Sequence, residues 1–556
     1  MSSRFARLSI RHGFGLAVLL ALAGAAAADQ ETKTYRGATA YPVVRPAVID
    51  IDLGTVPKAR EWQPGDPIKD IPRRHTRPIS EAPPALPIQG AEDALLLAQD
   101  QAAAGNDRAF TTPTLNIDGQ NYTGVNPADP SADVGPNHFI TLINSGPGTS
   151  ATIYNKSGTI LAGPFTLAST LGGIGNCSVG AGDPVVLYDH LADRWLLSEF
   201  SDLANALCVY ISQTADPVSG GWYRYAFSTP SFPDYPKYAV WPDAYYVSTN
   251  EDPAVYALNR TQMLAGLAAT SQRFTVPPIN FPFQTLTPPD LDGPPPPAGA
   301  PAPFMRHRDD ERHNPPGTAS DFLEIWDFHV DWVTPSNSSI TGPLNIAVTD
   351  FSSDFCGFTT FSCIPQPSGT NALDSLREVI MYRLAYRNFG THRSLIGNLP
   401  TNLTPPSPGL RAGVRWFELR KKGSGPWTLH QEGTYSPDAT THRWMGASAM
   451  DQDRNFAVAF SVSSSGVFPG LRYAGRLYGD PLGTLPQGEA TIVNGSASNG
   501  SLRWGDYFQM GVDPADGCTF WFYGAYSPAS PWRTRIASLK FDSCPDLIFA
   551  DAFEPL

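Results

Sequence analysis

A pattern of apolar and polar positions recurs five times along the chain. Each copy has a polar opening, a short apolar run, a turn of Asp, Pro, Asn or Gly, and a second apolar or aromatic run. The copies are DPSADVGPNHFITLIN from Asp129, GDPVVLYDHLADRWLLSEF from Gly182, DYPKYAVWPDAYYVSTN from Asp234, HRWMGASAMDQDRNFAVAFS from His442 and RWGDYFQMGVDPADGCTFWFY from Arg503. Two apolar runs joined by such a turn are typical of a β-hairpin. Repetition at about 50 to 60 residues, without helical stretches between the copies, predicts an all-β fold of the β-propeller type.

The predicted propeller covers residues 111–544 and has about seven blades, with six to eight as the range. The interval between Asp234 and His442 is expected to hold about three weaker copies of the hairpin. Segments such as DFLEIWDFHVDW, PLNIAVTDF and REVIMYRLAYRNF are candidates for them. The Pro-rich segment 277–317 in the same interval is expected to be a surface loop insertion.

Two regions flank the predicted propeller. Residues 29–110 combine short apolar pieces with basic and Pro-rich ones. We expect them to form an N-terminal arm that runs over the surface of the ring, because an extended Pro-rich segment satisfies its backbone with water. Residues 545–556 form a C-terminal tail to which the sequence assigns no role.

The N-terminus has the features of a secretory signal peptide. Three arginines precede an apolar run from Phe14 to Leu22, and the small residues 26–28 follow it. The run is too short to span a membrane, and small residues form the cleavage site. We predict that residues 1–28 are removed and that the protein is secreted, to the periplasm or the extracellular space. No other segment is long and apolar enough to predict a membrane span.

The charge and composition limit the class of binding partner and the kind of fold. The chain has 52 acidic residues against 39 Lys and Arg, a formal net charge of −13, which argues against nucleic acid as the main partner. Charged residues make up only 16% of the chain, below the roughly 25% of ordinary globular proteins. The 54 Pro and 49 Gly suit a protein of short strands and many turns.

The six cysteines predict disulfides, because the expected compartment is oxidising and no C-x-x-C pair or His/Cys cluster indicates zinc. Several pairings are possible, and we favour nearest neighbours: Cys177 with Cys208, Cys356 with Cys363, and Cys518 with Cys544. The last pair would connect the final hairpin to the terminal strand and fix the blade that closes the ring.

Several segments carry a resemblance to a known family: LDSLREVIMYRLAYRNFGTH, GVRWFELR, HRWMGASAMD, GRLYGDPLGTLPQGEATI and LRWGDYFQMGVDPADGCTFWF. They resemble those of a widespread family of secreted bacterial proteins of uncharacterised function, described as propeller-like or sialidase-like repeat proteins. The resemblance covers most of the chain from about Tyr41 onward and implies a secreted propeller without a specific activity. The chain lacks the S-x-D-x-G-x-T-W box and the Arg-Ile-Pro start of true sialidases, so sialic acid hydrolysis is not predicted.

The residues that open each repeat are the first candidates for a site, because the innermost strand of every propeller blade begins near the axis. The catalytic candidates are Asp183, Asp234, His442, Arg443, Asp506 and Tyr507, and Arg503 and Trp444 are candidates for binding substrate. Paired carboxylates supply the acid and the base or nucleophile of glycoside cleavage, and Tyr507 is a candidate base for a lyase. Two other interpretations stay open: Asp at a strand entry is a common turn residue, and carboxylates such as Asp133 can hold Ca²⁺ in the channel.

A second candidate group lies in MYRLAYRNFGTH. Arg383 and Arg387 are four residues apart, so their side chains share one face of a strand, and His392 follows. They are candidates for binding substrate, because guanidinium groups hold acidic sugar substituents bidentately. The alternative is a solvent-exposed face neutralised by acidic neighbours.

No nucleophile elbow, H-E-x-x-H motif or Walker-type loop is present, which disfavours serine hydrolases, zincins and nucleotide enzymes. We predict a glycoside hydrolase or polysaccharide lyase that acts on an extracellular glycan, with its site on the axial face where the inner strands begin. The alternative is a non-catalytic module that binds carbohydrate or a cell-surface component. We expect a monomer, and Ca²⁺ is the one cofactor considered.

Overall fold

The structure is a computed structural model, and it describes most of the chain. The described residues are 32–73, 93–103, 113–279, 281, 283–313, 320–353, 356, 361–368, 371–377, 379–403, 411–529 and 531–544. The predicted signal peptide, the C-terminal tail and residues 74–92 and 104–112 of the arm lie outside them.

Strands dominate the described residues. In chain order they are β1 (Lys33–Arg36), β2 (Thr39–Ala40), β3 (Ala47–Ile49), β4 (Lys69–Asp70), β5 (Leu115–Asp118), β6 (Val125–Asn126), β7 (Ser131–Val134), β8 (His138–Ser145), β9 (Gly148–Asn155), β10 (Ile160–Thr166), β11 (Val185–Asp189), β12 (Arg194–Phe200), β13 (Ala206–Ser212), β14 (Trp222–Ser228), β15 (Lys237–Val240), β16 (Tyr245–Thr249), β17 (Ala254–Leu258), β18 (Ser271–Thr275), β19 (Pro289–Asp292), β20 (Ala302–Arg308), β21 (Phe322–His329), β22 (Ser339–Ala347), β23 (Ser362–Ile364), β24 (Leu373–Asp374), β25 (Leu384–Asn388), β26 (Arg393–Asn402), β27 (Ala412–Lys421), β28 (Trp427–Tyr435), β29 (His442–Met450), β30 (Phe456–Ser464), β31 (Val467–Arg476), β32 (Glu489–Val493), β33 (Gln509–Val512), β34 (Phe520–Tyr526) and β35 (Arg533–Leu539). The helices are α1 (Ala94–Ala103), α2 (Leu167–Leu171), α3 (Arg260–Leu264) and α4 (Asp310–His313).

The sheets form a seven-bladed β-propeller, as predicted. Blades 1 to 3 are β7–β10, β11–β14 with β3, and β15–β18 with β2; blade 4 is β20–β22 with β1. Blade 5 is β25–β28 with β19, blade 6 is β29–β32, and blade 7 is β33–β35 with β5. The five predicted hairpins are the inner two strands of blades 1, 2, 3, 6 and 7.

Two blades, and not three, occupy the interval between the third and fourth predicted hairpins. Strands β26, β27 and β28 of blade 5 are 10, 10 and 9 residues long, so this blade uses more chain than the blades before it. Periodicity gave no sign of this difference in strand length.

Segment 277–317 differs from the surface loop that we expected. It contains β19, which pairs in parallel with β25, and β20, the inner strand of blade 4. Its charged residues are buried because they are paired: Arg306 Nε donates to Glu324 Oε2 at 2.5 Å, and Arg308 also pairs with Glu324. Composition alone could not distinguish these buried ion pairs from solvated charge.

The N-terminal arm covers the outer edges of the ring. Strands β1, β2 and β3 pair with the outermost strands of blades 4, 3 and 2, namely β22, β18 and β14. Further along the arm, β4 pairs in parallel with β6. An uncovered edge strand is a template for association with other chains, and the arm removes three such edges.

The ring closes by pairing the two ends of the propeller sequence. Strand β5 adds to β35, with Ile117 opposite Ile536, and completes blade 7. The Cys518–Cys544 disulfide joins residues next to β34 and β35, and Cys177–Cys208 and Cys356–Cys363 form as predicted. Among the described residues, no helix is long and apolar enough to cross a membrane.

Both faces of the blades are buried against their neighbours. All seven residues of β13 are buried, which explains why strands of this chain are apolar on successive positions and do not alternate. Large rings fill the space between blades. Trp195, Trp222, Trp241, Trp416 and Trp504 are each at most 1% exposed.

Candidate active site

An open cavity of about 750 Å³ lies at one end of the propeller axis, within the usual size of a small-molecule site. It is formed where the inner strands end, by residues of β7, β11, β19, β25 and β33 and by the loop after β29. We call it the axial cavity. Its charged and imidazole side chains are Asp133, His190, Asp292, Arg383, Arg387, Arg454 and Asp513.

Arg383 is held between two carboxylates of β19. It is 2% exposed, and its Nε donates to Asp290 Oδ2 at 2.5 Å. Its Nη1 and Nη2 donate to Asp292 Oδ2 and Oδ1 at 2.9 and 2.8 Å. A bidentate pair of this kind fixes both side chains, so Asp292 has a defined position in the cavity wall.

Asp133 of β7 is a carboxyl of the cavity to which, among the described residues, no basic side chain donates a hydrogen bond. Its Oδ1 accepts from Val134 N at 2.8 Å and its Oδ2 accepts from Tyr188 N at 2.7 Å. Burial raises the pKa of Asp133 to about 7, and the nearby Arg383 only partly offsets it. A carboxyl with this pKa is well suited to donate a proton near neutral pH.

A third carboxylate, Asp513, follows β33 at the edge of the cavity. It pairs with Lys156 Nζ and accepts from Trp521 Nε1 at 3.1 Å. Lys156 also donates to Gly135 O at 2.9 Å. The cavity therefore combines two carboxylates that are paired with cations, Asp292 and Asp513, and Asp133.

Two arginines complete the wall. Arg387 is 6% exposed and donates from Nη1 to Met450 O at 3.2 Å. Burial lowers its pKa. The guanidinium carbon of Arg454 lies 5.6 Å from the centre of the Phe389 ring and 4.6 Å from that of Tyr478.

The residues predicted from the repeat openings meet at the opposite end of the axis. Arg503 pairs with Asp506 at 3.0 Å, and Lys237 Nζ lies 3.7 Å from the centre of the Tyr507 ring. Burial raises the pKa of Asp183 to about 7, with a further contribution from Asp234. The sequence therefore identified a true cluster, which we call the opening cluster.

The N-terminal arm covers the opening cluster. Arg503 Nε donates to Ile71 O at 2.9 Å, and Arg73 lies 3.9 Å from Asp506 Oδ1. Tyr507 is 0% exposed and its hydroxyl donates to Pro184 O at 2.9 Å. Among the described residues, the arm therefore covers this end of the axis, and the axial cavity lies at the other end, which sequence reasoning did not favour.

Other predicted residues have structural partners. His442 Nδ1 accepts from Ala412 N at 3.2 Å, and Arg443 Nε donates to Glu489 Oε2 at 2.6 Å. Trp444 is 0% exposed in the core. His392 stacks on Phe389 with 5.2 Å between ring centres, which places it behind the cavity wall.

Of the predicted site residues, Asp133, Arg383 and Arg387 line the axial cavity. Sequence reasoning missed Asp292, Asp513 and Arg454. Asp513 and Arg454 belong to the turns after inner strands, where polar residues are usually interpreted as turn formers. Asp292 ends β19, whose pairing with β25 the sequence did not indicate. The signal was present in the repeat itself, because every copy places polar residues in the same turn.

Asp133 was also a candidate for holding a metal. Its two oxygens accept backbone N–H groups, and among the described residues the carboxylates with ligand-like spacing are Asp309, Glu311 and Asp321 instead. That group lies at α4 and the start of β21, away from the residues of the cavity wall. Its oxygens accept backbone N–H groups of neighbouring loops, for example Asp321 Oδ2 from Phe351 N at 2.6 Å.

No protein-family model matches the chain, and no curated protein matches it. Similar solved structures include the α-L-arabinofuranosidase Arb93A of Fusarium graminearum, with a TM-score of 0.36, 8% identity, and coverage of 78% of this chain and 99% of that one. Hydrazine synthase of Kuenenia stuttgartiensis has a TM-score of 0.36 and 10% identity, with coverage of 77% of this chain and 99% of that one. A PL25 ulvan lyase has a TM-score of 0.35 and 9% identity, with coverage of 78% of this chain and 94% of that one. Similarities at this level carry no argument about chemistry.

Proposed function

We propose that the protein is a secreted glycoside hydrolase that acts on an extracellular glycan in the axial cavity. The observation that supports it is the meeting of Asp133, Asp292 and Asp513, from three different inner strands, in one open cavity of about 750 Å³. Glycoside hydrolysis needs two carboxyl groups that flank the scissile bond in different protonation states. Burial raises the pKa of Asp133 to about 7, and Asp292 is held by the bidentate ion pair with Arg383.

In this mechanism Asp133 is the proton donor. Its proton passes to the glycosidic oxygen as the bond between that oxygen and the anomeric carbon breaks. Asp292 or Asp513 accepts a proton from the water whose oxygen attacks the anomeric carbon, or attacks that carbon itself. The site holds a tyrosine at Tyr188, but its hydroxyl donates to Asp193 Oδ1 at 2.5 Å and burial raises its pKa. A lyase that uses this tyrosine as its base is therefore less favoured.

Secretion belongs to the same proposal. Three disulfides fit an oxidising compartment, and the N-terminal sequence has the order of a signal peptide. A glycan outside the cytoplasm is the partner that fits both this location and the cavity.

Asp133→Asn tests the proposed proton donor. We expect kcat on a cleaved glycan to fall by roughly 10²- to 10⁴-fold. The melting temperature should fall modestly, because the Asn oxygen can accept from only one of the two backbone N–H groups of Val134 and Tyr188, and the other loses its acceptor. Wild-type activity should fall as the pH rises through about 7, since the acid must be protonated. The measurement is the initial rate on a panel of polysaccharides between pH 4 and 9.

Asp292→Asn and Asp513→Asn identify the second carboxylate, and Asp202→Asn, at an exposed position, is the matched control. Cleavage should persist in a chelator, because the proposed groups are carboxyls. Full activity of the Asp133→Asn protein would overturn the site assignment. Binding of a glycan without cleavage by the wild type would favour the non-catalytic module instead.

A further inference from the structure

The axial cavity holds two guanidinium groups that no carboxylate neutralises directly. Among the described residues, no carboxylate oxygen lies within 4 Å of the guanidinium of Arg387 or Arg454. Asp292, Asp451 and Asp453 act on Arg387 only at longer range. The one hydrogen bond of the Arg387 guanidinium goes to a neutral carbonyl, Met450 O at 3.2 Å.

Such an arrangement is unfavourable without a ligand. Arg387 is 94% buried, since its exposed fraction is 6%, and a buried cation without an opposite charge loses hydration that nothing replaces. Natural interiors pair such charges, as this protein does for Arg383 and for Arg306. Arg476 is also buried and bonds only to carbonyls, but Arg387 differs from it in lining an open cavity, where its guanidinium is accessible to an anionic ligand.

The backbone leaves room beside this guanidinium. Gly293 has φ +70°, and a Cβ there would lie 3.3 Å from Cζ of Arg387. A side chain at this position would press against the guanidinium plane. The loop that follows β19 therefore has a residue without a side chain, Gly293, where it passes Arg387.

Three aspartates and three arginines line the cavity, but among the described residues the ion pairs leave two of the arginines without a close carboxylate. Arg383 is matched by Asp290 and Asp292, and Asp513 by Lys156. Arg387 and Arg454 remain, while the whole chain carries a formal net charge of −13. These two guanidinium groups form a local positive charge in an acidic protein, and such a charge attracts an anionic ligand to this part of the cavity.

We infer that Arg387, assisted by Arg454, binds an acidic substituent of the glycan, so that the substrate class is an anionic polysaccharide. The recognised group is a uronate carboxylate or a sulfate ester, which share the oxygen acceptors that a guanidinium holds by two hydrogen bonds. The inference rests on the proposed function for the site, and it assigns the feature of the substrate that the cavity selects.

The test measures binding, so that it does not depend on turnover. The Asp133→Asn protein is titrated by calorimetry with a panel of uronate-containing oligosaccharides, each paired with its carboxyl-reduced form, and with sulfated neutral oligosaccharides. We expect at least one anionic ligand to bind roughly tenfold or more tightly than its neutral partner. The preference should shrink as ionic strength rises.

Introducing Arg387→Met into the Asp133→Asn protein should weaken binding of the anionic ligand roughly 10- to 100-fold and leave the affinity for the neutral partner unchanged. Arg387→Lys keeps the charge but not the two parallel donors, and we expect an intermediate loss, which also covers the case in which the Met variant fails to fold. Arg36→Met, which removes a positive charge from the edge strand β1, should change neither affinity.

Equal affinity for every anionic ligand and its neutral partner would overturn the inference, as would a preference that survives Arg387→Met. A preference for the sulfated ligands that Arg387→Met removes supports it and assigns the sulfate ester. The proposed hydrolase fails separately, when the Asp133→Asn enzyme keeps its rate, and that result leaves the binding comparison intact.

Discussion

At the scale of single residues, the same side chain takes different roles because its surroundings differ. Asp133 and Asp506 are both aspartates near the axis, but Asp506 is held by Arg503. Burial alone would raise the pKa of Asp506, and the positive charges of Arg503 and Arg73 outweigh it, so that this pKa is lowered. Asp133 lacks such a partner, and burial raises its pKa to about 7. Asp133 lies within β7 and Asp506 precedes β33, and the chemistry of each follows from neighbours that are distant in the chain.

Glu199 is a second buried carboxyl whose surroundings change its pKa strongly. It is 1% exposed, its Oε2 has no hydrogen-bond partner among the described residues, and its Oε1 accepts from Tyr210 at 3.4 Å. Gly148 and Gly180 lie against it, and a Cβ at Gly180 would overlap Oε2. Burial raises the pKa of Glu199 to about 8 from its ordinary value of 4.5.

Glu199→Gln should remove a pH dependence of stability. A raised pKa means that the folded state keeps the proton between pH 4.5 and about 8, while the unfolded state loses it. The wild type therefore loses up to about 1.4 kcal/mol of unfolding free energy per pH unit across that window. We expect the free energy of unfolding of the Gln variant to increase relative to that of the wild type as the pH rises. Urea unfolding from pH 4 to 9 measures this difference.

The comparison with wild type cancels the titration of every other group. Glu61→Gln, at an exposed position, is the matched control and should run parallel to the wild type. A difference between Glu199→Gln and wild type that does not change with pH would contradict the burial argument.

At the scale of elements, the important units are the turns of the inner hairpins and the strands added from the N-terminus. The turns after the inner strands contribute Asp513 and Arg454 to the axial cavity. Strands β1, β2, β3 and β5 are short and would not form alone, because an isolated strand has no partner for its backbone groups. They depend on the blades that they complete.

Of these added strands, β5 should contribute most to the free energy of unfolding, because it closes the ring. We compare a chain that begins at residue 113 with one that begins at residue 119, which lacks β5 as well as the arm. The shorter chain should lose roughly 2–4 kcal/mol of unfolding free energy, from its backbone pairs with β35 and the contact of Ile117 with the core. Urea unfolding followed by tryptophan fluorescence measures the difference.

Full-length variants check the same point without truncation. Ile117→Asp should destabilise the protein, because Ile117 packs against the main core. Val48→Asp in β3, where Val48 is 52% exposed, should change stability by less than about 0.5 kcal/mol. Equal effects of these two substitutions would argue against a special role for β5.

At the scale of the whole molecule, the two ends of the axis differ. The arm covers the end where the inner strands begin, and the cavity opens at the other end. In the part of the chain that the structure describes, the axial cavity is therefore the accessible site on the axis, and disulfides cross-link the closing blade and blade 2.

Export should be visible in the mature protein. We expect the protein recovered from the periplasm or culture medium to begin at Asp29 and to contain no alkylatable thiol before reduction, since all six cysteines are paired. Intact mass with and without reduction and alkylation measures both. A chain that retains residues 1–28, or that reacts with an alkylating agent before reduction, would contradict secretion.

The sequence by itself determined the propeller. Apolar runs separated by turns define hairpins locally, and repetition of a unit that cannot bury both its faces alone requires a ring. The cysteine pairing also followed from the order of the chain, because residues of one blade are near one another in sequence. For the site, the sequence named Asp133, Arg383 and Arg387 as candidates, but it grouped Asp133 with the repeat openings and gave the two arginines no place relative to the axis.

Only the tertiary structure decided which end of the axis is open. That choice depends on where the arm residues 70–73 dock, more than 400 residues away from Arg503 and Asp506. The insertion of β19 beside β25, which brings Asp292 to Arg383, is likewise a pairing of distant segments. Local patterns report which residues are buried in a strand, while the protonation state of Asp133 and the unpaired charge of Arg387 arise from contacts that the local pattern does not contain.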